Sequence, residues 1–169
     1  LRALALGWTG ANCVKWLHKI SVLDRPHEGF FMDKVYRTFQ KGQDPKSGAI
    51  VEDIMVKSII TDPLNGETLS AGIAAIRGSA YAGEARIKKV DVSVDGGHRW
   101  IAANLIGPEQ PYAWRHWEYL WNAGKKGDYT IMARATDTKG RRQPESAHWN
   151  VLGYGNNGVR EHAVVVHIN

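Results

Sequence analysis

The sequence predicts a mainly β chain whose larger part is a β-sandwich of Greek-key type. Three observations carry this reading. Short β-branched runs recur at even spacing beyond residue 45, turn-forming residues close each run, and no long stretch carries a convincing helical period.

Residues 14–23 come first. Val14, Trp16, Ile20 and Val22 alternate in part with polar positions, and Asp24, Arg25 and Pro26 end the run, so a strand is expected there. Residues 30–37 hold Phe30, Phe31, Val35 and Tyr36. Residues 40–49 are polar and contain Gly42, Pro45, Ser47 and Gly48. That connector composition places a boundary near residue 45, with units expected at 1–45 and 46–169. Residues 56–61 are β-branched and stop at Asp62 and Pro63. Residues 68–77 form a second apolar segment, closed by Gly78. Residues 85–94 include an in-out pattern through Ile87, Val90, Val92 and Val94. Asp95, Gly96 and Gly97 then make a hairpin turn, since glycine reaches positive φ without a Cβ clash. The return strand starts across His98, Arg99, Trp100 and Ile101. Residues 129–137 and 164–168 are the remaining strands.

The composition narrows the function classes. A chain of 169 residues and 18.8 kDa fits one domain, or one domain plus a piece of another. Apolar residues at 43% and charged residues at 23% exclude disorder and collagen. No apolar run is long enough for a membrane-spanning helix. Lys and Arg number 22 against 17 Asp and Glu, a mild +5 with no basic block, which argues against a nucleic-acid partner. Cys13 stands alone, so neither an internal disulfide nor a cysteine-rich metal site is available. His162 and His167 are five apart, near the final strand. Odd spacing turns them to opposite faces, which suits no single metal ion. The opening run from Leu1 to Leu6 lacks a signal-peptide pattern and leads straight into Gly7, Trp8, Thr9 and Gly10. It reads as the interior of a larger domain, a processed N-terminus being the alternative.

Two clusters could carry chemistry. Gly7 to Asn12, followed by Cys13, Val14 and Lys15, combines close-approach glycines with a cation. Successive N–H groups and Lys15 could cradle an anion, or the glycines could serve only a turn. Tyr112, Trp114, Arg115, His116, Trp117 and Trp121 are densely aromatic and basic. The spacing of Trp114, Trp117 and Trp121 fits a short helix face, that of Tyr112 and Trp114 also a strand, and their role could be core, interface or binding wall.

In order along the chain, these segments resemble the sulfite-oxidase family of molybdenum enzymes. The segment from Gly7 to Leu17 is similar to the end of that family's molybdopterin domain. Gly29, Phe30 and Phe31, with Tyr36 and Arg37, look like the segment leaving it. Residues 56–60 resemble the first strand of the family's C-terminal domain, and residues 90–97 with Trp100 its most typical hairpin. Residues 113–117, 134–137, Gln143 with Pro144, and Trp149 with Asn150, Gly153 and Asn157 complete the series.

The resemblance implies an immunoglobulin-like domain that forms a homodimer, preceded by the last segment of an α/β molybdopterin domain. It implies that Cys13, Val14 and Lys15 contact the phosphate region of molybdopterin. The molybdenum-binding thiolate lies well upstream in the family, so Cys13 is not its counterpart. No catalytic residue and no metal ligand is expected in this chain, and no turnover from it alone. Animal relatives carry an arginine in the Trp-Asn-x-x-Gly stretch that lines their substrate anion pocket. Leu152 stands there, leaving Arg115 as the candidate for a nearby positive charge. Residues 149–157 look closer to the bacterial sulfane dehydrogenase subunit, which acts on carrier-bound sulfur and passes electrons to a c-type cytochrome. Bacterial relatives are mostly periplasmic. The competing expectation is a stand-alone immunoglobulin-like dimerisation or binding module without catalysis, for which residues 1–40 would be superfluous.

Overall fold

The computed structural model describes residues 1–169. Its strands are β1 (Arg37–Thr38), β2 (Ala49–Ile50), β3 (Lys57–Asp62), β4 (Thr68–Leu69), β5 (Gly72–Tyr81), β6 (Ile87–Ser93), β7 (Ile101–Ala102), β8 (Asn104–Ile106), β9 (Arg115–Ala123), β10 (Gly127–Asp137) and β11 (Val164–Ile168). One sheet has the order β4-β11-β10-β6-β7 and the other β3-β5-β9-β8. All pairs are antiparallel except β11 with β4. The two sheets pack face to face as the expected immunoglobulin-like sandwich, and β1 pairs with β2 outside it.

Side chains alternate as a pleat requires. Ile76 and Ala80 of β5 and Trp117 and Trp121 of β9 point inward. They meet Val90 and Val92 of β6, Ile131, Ala133 and Ala135 of β10, and Val164, Val166 and Ile168 of β11. Trp121 packs edge-on against Tyr129 across the two sheets, ring centroids 4.8 Å apart. The chain changes sheets at Ala103, so β7 pairs with β6 and β8 with β9. Ala103 N–H donates to Val90 O at 2.8 Å and holds the crossover.

Three expectations are corrected. Residues 14–23 form no strand. They share only an isolated bridge between Lys15 and Arg2, and Trp16, Ile20 and Val22 are exposed. Partial alternation supplied apolar residues but no neighbouring strand to take up the backbone groups. Residues 68–77 are not one segment. The chain breaks between β4 and β5, and β5 runs through Gly78 to Tyr81. Gly78 is kept in the strand because its missing side chain makes room for Trp117 (below). The 95–97 turn is present, with Gly96 and Gly97 at φ +70° and +97°, but the return strand waits until Ile101.

The intervening loop is closed by its own polar groups. Asp95 Oδ1 accepts from Arg99 N–H at 2.9 Å and from the Ser93 hydroxyl at 2.7 Å. The Ser93 oxygen in turn accepts from Gly97 N–H at 2.9 Å, and Trp100 Nε1 donates to Gly97 O at 2.9 Å. The Asp95 carboxyl is held below its ordinary value of 3.8, chiefly by the Arg99 N–H. A depressed carboxyl contributes stability that is whole above the unfolded value and is lost as pH falls through the folded one. Asp95→Ala should therefore melt below wild type near neutral pH. The gap should close below about pH 4. A gap independent of pH would refute the assignment.

Candidate functional site

The site is built where the N-terminal segment crosses the end of the sandwich. Thr9 N–H donates to Glu52 O at 2.8 Å, Ile54 N–H to Gly7 O at 3.2 Å, and the Thr9 hydroxyl to Val51 O at 3.3 Å. Gly7 and Gly83 lie face to face. Both have positive φ, and a Cβ on Gly83 would stand 2.7 Å from Ile54 O and 2.9 Å from Gly7 O. Only two glycines allow this approach. Asp53 then reaches the sandwich through Arg141. Arg141 Nη1 lies 3.6 Å from Asp53 Oδ2, while its Nε donates to Asp137 Oδ2 at 2.7 Å. Asp137 is fully buried and also accepts from Lys139 and Arg141 N–H. The spacing of Asp137, Gly140 and Arg141 resembles a capped turn, the one sequence signal that could have exposed this network.

Cys13, Val14 and Lys15 follow a single tight turn, Gly10–Asn12. Cys13 N–H donates to Gly10 O at 3.1 Å, and Val14 O accepts from Ala3 N–H at 2.9 Å. The bridge between Arg2 and Lys15 sets two cations beside each other as cross-strand partners. Arg2 was not singled out in the sequence, because the pairing is made by backbone register rather than by spacing. The N–H groups of Gly10 and Ala11 have no acceptor within the chain, and a Cβ on Gly10 would meet nothing within 4 Å. Two cations, free N–H groups and an open glycine form a donor set that fits the phosphate end of a cofactor.

Arg115 begins β9. Its Nη1 donates to Ile106 O at 3.0 Å and to Gly107 O, so the guanidinium clamps the β8–β9 connection. Among the neighbouring aromatics, no helix face forms, and Tyr112 to Trp114 lie in a turn before β9 rather than in a strand. Trp117 and Trp121 are buried core, while Trp114 lies half-exposed against Tyr81, centroids 5.6 Å apart. Leu152 sits in a loop tied to the N-terminal segment. Val151 N–H donates to Phe39 O at 3.0 Å, and Gln40 Nε2 to Trp149 O at 2.6 Å. Beside it, a cavity of about 410 Å³ opens between residues 49–55, Lys57 and residues 154–157. Lys57 Nζ donates to Asn156 O at 2.8 Å, and burial pushes its ammonium below the ordinary value.

The fold and the site together are an immunoglobulin-like sandwich with a cationic strap docked at one end. Residues 48–168 match the family model described as the Mo-co oxidoreductase dimerisation domain, and the chain belongs to that family. It is 33% identical to mitochondrial sulfite oxidase of Homo sapiens over 183 residues, covering 100% of this chain and 33% of that protein. It is 30% identical to nitrate reductase [NADH] 2 of Phaseolus vulgaris, covering 93% of this chain and 20% of that protein. Among solved structures it superposes on the sulfane dehydrogenase SoxCD from Paracoccus pantotrophus with a TM-score of 0.75 and 27% identity. That match covers 93% of this chain and 41% of the other. The chain thus spans about a third of the sulfite oxidases it matches.

Proposed function

We propose that this chain is the dimerisation portion of a molybdenum-dependent oxidoreductase that oxidises sulfite or protein-bound sulfane sulfur and passes electrons to a c-type cytochrome in the periplasm. One observation carries the reading of a partial domain. A compact protein of this mass exposes about 8,300 Å², whereas this chain exposes 10,891 Å². Much of the excess lies on the N-terminal segment, where Leu1, Leu4, Leu6, Val14, Trp16, Ile20, Val22 and Phe30 are exposed. A patch of that kind is covered by other protein. It disfavours a self-sufficient module.

Bound molybdopterin would supply the oxygen-atom transfer and the electron storage. The role of this chain is to bind and orient. Lys15 and Arg2 hold the phosphate end, the free N–H groups of Gly10 and Ala11 add neutral donors, and the Thr9 and Asp53 contacts fix the strap on the sandwich. Leu152 contributes no charge to a substrate anion, which favours a carrier-bound sulfur over free sulfite.

Self-association tests the first part. Light scattering on the eluting protein should give twice the 18.8 kDa monomer mass. A monomer at every concentration would refute a homodimer. Lys15→Ala tests the second. Pterin retained by the complete enzyme after desalting should fall about tenfold, the scale of one charge-assisted hydrogen bond. Unchanged retention would remove Lys15 from the site.

A further inference from the structure

We propose that the outer face of the five-stranded sheet carries a binding site for a small oxyanion of the phosphate or sulfate class, built on Arg134 and Arg142. The residues lining it are not those that dock the strap, and the site does not depend on the dimerisation reading. A cavity of about 440 Å³ opens there, with Arg134 and Met132 of β10 on its floor and Trp100, Arg142 and Glu145 among its walls.

The charges in and around it are unbalanced toward positive. The Arg134 guanidinium carbon lies over the Trp100 ring, 4.1 Å from its centroid, a cation–π contact that holds the side chain in place. Its only ion-pair partner is Asp91, at 3.7 Å from Nη2, and Asp91 is already held by Lys89 at 2.9 Å. Arg134 Nε is buried and has no acceptor. Arg142 lines the same cavity, and its side chain makes no hydrogen bond or ion pair within the chain. Glu145, the one carboxylate among the lining residues, is taken by Arg160, whose Nε donates to it at 2.9 Å. Two guanidinium groups therefore face one cavity, and the donors they hold outnumber the acceptors present.

A buried donor without an acceptor costs free energy, and so do two cations sharing one cavity. The second cost disappears when an anion enters. A tetrahedral oxyanion suits the arrangement because it offers separate oxygens to Arg134 from the sheet and Arg142 from the loop. The position of Arg134 also agrees with its titration. Its guanidinium is held below the ordinary value, first by burial and then by the charge of Arg142.

The test uses the full chain with potassium phosphate, potassium sulfate and potassium chloride at equal ionic strength. Phosphate or sulfate should raise the melting temperature and give a saturable isotherm by calorimetry, while chloride does neither. Arg142→Ala, a change at an exposed residue outside the core, relieves the repulsion with Arg134, so it should not lower the melting temperature in chloride, and it should weaken oxyanion binding about tenfold or more. Arg134→Lys keeps the charge but loses the forked donors of the guanidinium, so it should weaken binding as well. Equal oxyanion responses in wild type and Arg142→Ala would overturn the proposal, as would a response that does not saturate. A loss of self-association in Arg142→Ala without any response to phosphate or sulfate would also overturn it. In that case the cavity takes a carboxylate from a second copy, not a free oxyanion.

Discussion

Gln143→Ala should destabilise the chain by about 3 kcal/mol or more, a large share of the 5–15 kcal/mol typical of a domain. Gln143 is 1% exposed and sits between the sheets. Its Oε1 accepts from Ser58 N–H of β3 at 2.8 Å and from Ala135 N–H of β10 at 3.2 Å. A single oxygen thus satisfies one backbone donor from each sheet. Its Nε2 donates to Ser58 O at 3.4 Å, and its own N–H donates to Ala135 O at 2.9 Å. Alanine leaves two buried N–H groups without acceptors and opens a gap where the amide stood. Each orphaned donor costs about 1–3 kcal/mol. Urea unfolding should show a lower midpoint with an unchanged slope. A loss under about 1 kcal/mol would mean that water takes over both bonds, and the bridge would then be dispensable.

Gly78→Ala should be worse, and for a steric reason. Gly78 lies opposite Trp117 in the β5–β9 ladder. A Cβ at Gly78 would overlap both the Trp117 ring and the carbonyl oxygen of Ile59 on β3. Trp117 is fully buried in the centre of the core and cannot swing away. The expected outcome is a loss of more than about 3 kcal/mol, seen as insolubility or a strongly lowered melting temperature. Trp117→Ala combined with Gly78→Ala should not rescue folding, because the Ile59 carbonyl still stands in the way. Gly124→Ala serves as the control. Its new Cβ would find only Asn122 Oδ1, at 3.7 Å, and its melting temperature should stay within a few degrees of wild type. A soluble Gly78→Ala protein melting beside that control would show that the sheet yields there.

These two positions show where reading the sequence succeeds and where it stops. β3, β6, β10 and β11 were legible because β-branched residues and alternation report a half-buried pleated surface, whatever the partner strand. β10 extends two residues earlier than expected, to Gly127, a boundary set by pairing with Ile168. Gly78 read as a stop, since glycine closes most strands. Only the neighbouring indole explains why it continues one. Residues 14–23 carried enough apolar alternation to suggest a strand, but a strand needs a neighbour, and local pattern cannot supply one.

The candidate site divides in the same way. Gly7, Gly10 and Lys15 stood out because glycines near a cation report close backbone approach to something. Arg2, Gly83, Asp53 and Arg141 gave no such signal, since they reach the site through register and long-range packing. The same holds for Arg134 and Arg142. They are eight positions apart in sequence, and only the turn after β10 brings them to one cavity. By itself the sequence determined the mainly β class, most of the strands and the order of motifs that marks the family. These follow from short-range sterics and from which residues avoid water. Tertiary structure alone decided which glycines are obligatory, which amide joins the sheets and which cations converge. Those properties belong to pairs of atoms distant in the chain, and no window of sequence contains them.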